Sequence, residues 1–148
     1  MTNHKKVIVL PSPPAPQWSF FDFVYPGGRK PISDWYEKEI SDRGRFSFDA
    51  LLKNNQKTLN HLEWGGFEKH MKGALKGHQI WQWKIPGEVQ YRVLGVFNGP
   101  KRAVFLMGYY HKGGVYTPPD ALETTLQRKK LLERRECMLD ERKIKTDQ

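Results

Sequence analysis

The chain has 148 residues, 38% apolar and 13% aromatic, with a formal net charge of +9 and a pI near 9.7. That length fits one ordinary domain with one substantial core and excludes a multidomain assembly. A single cysteine, Cys137, excludes an internal disulfide and favours a reducing compartment.

The opening basic residues lead into an apolar patch, Val7 to Leu10, that proline ends at once. It is shorter than the roughly 7–15 residues of a secretory core. No apolar run reaches the roughly 18 residues of a membrane span. The expectation is a cytoplasmic protein that avoids the membrane. "PSPPAPQ" reads as extended chain, so residues 1–17 form a flexible proline-rich leader.

"WSFFDFVYP" is aromatic and β-branched and predicts a first strand over 18–26. "PISDWYEKEISDRG" carries Ile32, Trp35, Tyr36 and Ile40 at helical spacing, with Pro31 at its start and Gly44 after its end. A second helix is expected over 47–62. Ser47 is its cap, and Phe48, Leu51, Leu52, Leu59 and Leu62 form its stripe. The two helices together predict an αα-hairpin.

From residue 80 the period falls to two. "IWQWKI" alternates Trp81, Trp83 and Ile85 with Ile80, Gln82 and Lys84. "YRVLGVF" (91–97) and "RAVFLMGYYH" (102–111) follow, with "NG" at 98–99 as a tight connection. Links this short predict an antiparallel meander. "TPPD" then predicts a helix capped by Thr117, with proline in its first turn. This helix is expected to run to about residue 139. The segment 133–148 is expected as a charged helical tail that projects or packs on a partner. The order is β-α-α-β-β-β-α in one α+β domain over 18–132.

The charge is unevenly spread. Residues 69–112 hold eight Lys and Arg against Glu88 alone, whereas the flanking segments are nearly balanced. A one-sign excess on strands suggests a polyanionic partner. Metal chemistry has little support. His61, His70 and His78 lack ligand spacing and read as surface or loop histidines, and no cysteine pair exists. Neither a metal nor any other cofactor is expected. "GGVYTPP" lacks the Lys-Ser pairing of a phosphate loop. Cys137 lies in a run of charges, a poor setting for a catalytic thiol.

What remains is a basic and aromatic set on neighbouring strands: Lys84, Arg92, Arg102, His111 and Lys112, with Tyr109 and Tyr110. Alternation places Lys84 beside Gln82. Arg92 falls on the side of Leu94 and Val96, and His111 on the side of Ala103, Phe105, Met107 and Tyr109. The choice between His111 and Lys112 stays open, because the glycines after them permit a turn. Such a set suits RNA cleavage by internal attack. Fixed cations stabilise the charge that builds on phosphorus. A histidine or lysine moves protons, and tyrosines stack on unpaired bases. The competing reading is a tyrosine in the core and cations that only bind phosphate.

The segments "IWQWK", "YRVLGVF" and "VFLMGYYHKGGVYTPPDALETTLQRKK" resemble the RelE/ParE toxin superfamily, particularly its HigB-like, phage-derived branch. The similarity is best over 78–130 and does not reach the leader or the tail. It implies a RelE-like fold, a small curved, mainly antiparallel sheet flanked by helices. It implies the toxin of a type II toxin–antitoxin pair, with a cognate antitoxin as protein partner and mRNA, often on the ribosome, as substrate. The activity implied is metal-independent mRNA cleavage that arrests translation. Carried over by position, Lys84, Arg92, His111 and Lys112 become catalytic, with Arg92 on the phosphate. The family's helix arginine falls on Arg128, which joins Arg102, Tyr109, Tyr110 and Tyr116 of the basic and aromatic reading as RNA-binding residues. His111 replaces the family's first lysine, and Thr125 stands where the helix alanine is usual. One branch of the superfamily inhibits DNA gyrase without cutting RNA, so a gyrase inhibitor is an alternative. A phage accessory protein that only binds nucleic acid is another.

Overall fold

A computed structural model describes residues 17–70 and 75–144. The described residues fold as α+β, with three α-helices against a small open mixed sheet. The strands are β1 (Ser19–Val24), β2 (Phe67–Lys69), β3 (Trp81–Lys84), β4 (Tyr91–Phe97), β5 (Arg102–Lys112), β6 (Val115–Thr117) and β7 (Met138–Glu141). The helices are α1 (Pro31–Lys38), α2 (Asp42–Gln56) and α3 (Ala121–Glu133). The main path of the sheet is β2-β3-β4-β5-β1-β7, and β6 pairs with the far end of β5.

The meander β3-β4-β5 is antiparallel, as the short links require. β1 joins it as the one parallel pair among the described residues, Ser19 to Asp22 beside Arg102 to Phe105. Both faces of the sheet are covered. α1 and α2 bury Ile32, Trp35, Phe48 and Leu52 against Phe20, Trp83, Val93 and Phe105. On the other face, α3 buries Ala121 and Leu122 against Phe23, Leu94, Leu106 and Met107. The expected single core is therefore split into two by the sheet.

The turn between α1 and α2 lies earlier than the glycine pattern predicts. Ser41, not Ser47, caps α2, with its Oγ accepting from the Gly44 N–H at 3.0 Å. Gly44 sits in the first turn of α2 because the Tyr91 ring occupies the space beside it. A Cβ there would lie 2.8 Å from Tyr91 Cε2. Phe48 and Leu52 are buried as the stripe predicts, but Leu59 and Leu62 lie past the end of the helix and are exposed. The 47–62 helix thus ends at Gln56.

α3 also starts later. Thr117 closes β6 instead of capping, and Asp120 precedes the helix without a side-chain cap bond. The reason is the hairpin before it. Gly113 and Gly114 both take positive φ, at 56° and 81°, which lets β5 turn straight into β6.

The tail is not helical to residue 139. α3 ends at Glu133, and residues 138–141 form β7 on the outer edge of β1. Asp22, buried in β1, holds the tail through a forked pair with Arg142. Charge density suggested a solvated helix, whereas one buried carboxylate draws the chain back onto the sheet. The leader, residues 1–16, lies outside the described residues.

β5 carries one extra residue. Leu94 pairs with Met107 and Gly95 with Phe105, leaving Leu106 as a bulge. Simple alternation along β5 therefore fails. Ala103 and Phe105 face α1 and α2, while Met107 and Tyr109 face the α3 side.

Candidate functional site

The sheet face beyond the end of α3 holds a cleft of about 260 Å³, lined by Glu68, His70, Gln82, Lys84, Arg92, Tyr109, His111 and Tyr116 among others. Pairing explains why these side chains meet. Lys84 lies opposite Arg92, and Arg92 opposite Tyr109, so three adjacent strands present one row. His111 is two residues beyond Tyr109 on the same face, a diagonal neighbour of Arg92 at roughly 7–8 Å. On the other side of β5, His111 pairs with Tyr116 of β6.

The polar contacts are specific. Lys84 Nζ lies 3.0 Å from Glu68 Oε1. The Arg92 Nη2 donates to Gln90 Oε1 at 2.9 Å. Under this row the Tyr109 hydroxyl donates to Gln82 Oε1 at 2.7 Å. Burial pushes the Tyr109 phenol well above the usual tyrosine range, Tyr116 adds to that, and Arg92 opposes it. Tyr109 is thus a neutral donor that fixes Gln82. The His111 and Tyr116 rings lie 5.1 Å apart at 40°, and Tyr116 meets the Tyr109 ring edge-on at 5.2 Å.

Three of the four expected catalytic residues come together: Lys84, Arg92 and His111. Lys112 does not. It follows His111 by one residue, so the pleat turns it to the opposite face, where it is exposed. Of the expected RNA-binding set, Tyr116 lies at the rim. Tyr109 is 1% exposed and cannot stack on a base. Tyr110 faces the α1 side, where its ring meets Tyr91. Arg102 sits at the opposite end of β5, over the Phe21 ring at 4.3 Å. Arg128 is buried on α3, with its Nη1 donating to Leu106 O at 2.8 Å.

Glu68 and His70 line the cleft without having been singled out for chemistry. His70 is buried in the loop just past β2, and His61 is half-buried among the rings of Trp18, Trp64, Phe67, Trp81 and Phe97. A signal existed for the first pair: Glu68-x-His70 has the period of a strand, but β2 is only three residues long. Among the described residues, no cluster of three His, Cys, Asp or Glu side chains could hold a metal ion. Nor is any described helix long and apolar enough to cross a membrane.

The cleft thus offers a carboxylate and an ammonium on one side, a guanidinium in the middle and an imidazole on the other. Comparisons with known proteins add nothing to this geometry: no family model, no curated protein and no solved structure matches the chain.

Proposed function

We propose that the protein is an endoribonuclease that cuts RNA through its own 2′-hydroxyl, acting as a cytoplasmic RelE/ParE-like toxin held in check by an antitoxin. The observation that carries this reading is the place of Arg92, between the Lys84–Glu68 pair and His111 on one sheet face. Internal attack needs a proton acceptor at the 2′-oxygen, a cation on the phosphate, and a proton donor at the departing 5′-oxygen. The row supplies these in that order.

The Glu68 carboxylate, oriented by Lys84, takes the 2′-hydroxyl proton. The 2′-oxygen then bonds to phosphorus, and the charge that develops on the equatorial oxygens falls to the Arg92 fork. The bond from phosphorus to the 5′-oxygen breaks, and the His111 imidazolium gives that oxygen its proton. The products are a 2′,3′-cyclic phosphate and a 5′-hydroxyl end. Tyr116, its ring tilted against His111, holds the imidazole and offers its ring edge to a neighbouring base.

The resemblance of "IWQWK", "YRVLGVF" and the β5-to-α3 segment to RelE/ParE toxins supports the toxin role and the protein partner. Induction of the chain in cells, followed by mapping of mRNA ends, tests the reading. Cleavage with 5′-hydroxyl ends, lost in Arg92→Ala and His111→Ala, is the expected result. Growth arrest with intact mRNA and unaffected by both substitutions sinks the ribonuclease and leaves the gyrase inhibitor. Intact mRNA without arrest leaves the nucleic-acid-binding accessory protein.

A further inference from the structure

A second cleft, of about 340 Å³, opens on the other side of the β5–β6 hairpin. Topology explains it. β1 accompanies β5 only as far as Phe105, and β6 accompanies it only from Tyr110. The stretch between them, which contains the Leu106 bulge, has no strand on that side.

Arg128 fills the gap from α3. It is 6% exposed, and it lines this cleft. Its Nε donates to Tyr25 Oη at 2.9 Å, and its Nη1 to Leu106 O and Met107 Sδ. Its guanidinium also lies 5.2 Å from the Tyr25 ring centre. All of these partners are neutral. Among the described residues no carboxylate lies within ion-pair distance of Arg128, and its Nη2 has no hydrogen bond.

A buried cation ordinarily has a counter-charge, since losing its water is costly. Here the cleft itself is where one fits. Three cations, Arg29, Lys38 and Arg128, line it against Asp34 and Glu39, and Lys38 is already paired with Asp34 at 4.0 Å. Arg29 lies over the other end of the Tyr25 system, 4.2 Å from that ring's centre. Trp35, Met107 and Pro118 make the remaining walls apolar.

We infer that this cleft binds one oxyanion, a phosphate or carboxylate borne on a compact apolar body, with Arg128 as its buried anchor and Arg29 as its rim cation. A guanidinium fork matches both oxyanions, and the lining leaves one positive charge uncompensated. The volume suits a small molecule or the end of a side chain, not a nucleic-acid strand. The site shares no lining residue with the Arg92 cleft, so it stands or falls apart from the ribonuclease reading.

The test is a titration of the isotope-labelled full chain, followed by NMR, with sodium phosphate in one arm and sodium acetate in a second. A third arm uses sodium chloride at matched ionic strength. The Gly108 amide and the Arg128 Nε–H are the reporters. The expected result is a saturating shift of both signals with phosphate, acetate or both, and none with chloride. The stronger arm identifies the source of the oxyanion. Arg29→Gln, an exposed position, weakens the binding several-fold with the spectrum otherwise intact. Arg128→Lys weakens it at least tenfold if the variant folds. Linear shifts equal to those in chloride, or saturation confined to signals of Lys84, Arg92 and His111, overturn the inference. So does unchanged binding in Arg29→Gln.

Discussion

Arg142 forks onto Asp22 across 120 positions of chain, with Nε 2.9 Å from Oδ1 and Nη2 2.8 Å from Oδ2. Both side chains are about nine-tenths buried, and the guanidinium also lies over the Tyr36 ring. Burial raises the Asp22 carboxyl, and Arg142 opposes that rise. Arg142→Ala leaves a carboxylate buried without its partner. Breaking such a pair costs about 3–5 kcal/mol. A thermal melt should fall by about 10 °C, and an unchanged midpoint contradicts the structural role. Truncation after residue 133 should be as harmful. A tail deletion therefore cannot serve to separate a gyrase inhibitor from a ribonuclease.

Arg92→Ala should lower RNA cleavage by about 10²–10³-fold, the usual loss of one fixed donor on a developing anion. Arg92 is half-buried and, among the described residues, its side chain bonds only to the exposed Gln90, so the melt should barely move. Cleavage of a labelled oligonucleotide measures the first and calorimetry the second. A parallel collapse of both would make Arg92 a structural residue.

His111 and Lys112 are adjacent in sequence but face opposite sides of the sheet. His111→Ala should cost cleavage about 10²–10⁴-fold, and Lys112→Ala should leave it unchanged. The reverse order of effects would mean that the hairpin β5–β6 is turned over in the active protein.

Gly108 lies against the Trp35 indole, and a Cβ there would stand 2.1 Å from Trp35 Cδ2. Trp35 is itself buried and cannot swing away. Gly108→Ala should destabilise the fold by about 1–3 kcal/mol, read by urea unfolding. A neutral outcome would show that α1 can lift from the sheet at little cost.

Tyr36 and Tyr109 both have raised phenols in the fold, chiefly through burial. The Tyr36 hydroxyl also donates to Asp49 Oδ2 at 2.7 Å, which raises it further. A folded pKa above the unfolded one favours the protonated, folded form. The contribution is complete below about pH 10, the value of a free tyrosine, and is lost as pH rises beyond it. Stability should fall steeply above that pH, less so in Tyr109→Phe. Absorbance titration at alkaline pH and unfolding curves check the two halves of the statement.

The sequence reveals the meander because its links are too short for any other arrangement. Lys84 and Arg92 were legible from the same alternation, but the choice of His111 over Lys112 was not, because the Leu106 bulge breaks the period along β5. Glu68 was not, since β2 is three residues long and carries no period of its own. β7 was hidden by composition: "MLDE" reads as part of a charged helix until Asp22 is known to lie buried on the neighbouring strand. The boundary between α1 and α2 was misplaced because Gly44 reads as a stop signal. Its real role, contact with Tyr91, depends on a residue 47 positions away. Lys112 falls outside the cleft because a motif carried over by position does not say which way the pleat turns.

Leu106 is one residue too many for its ladder, and a deletion there would leave every flanking side chain on its present face. The strand would become regular, with the pairs Leu94–Met107 and Gly95–Phe105 kept. What would vanish is the out-of-step carbonyl on which Arg128 rests. A single-codon loss at this point would therefore spare the Arg92 cleft while unseating the helix arginine, a clean genetic separation of the two halves of the molecule.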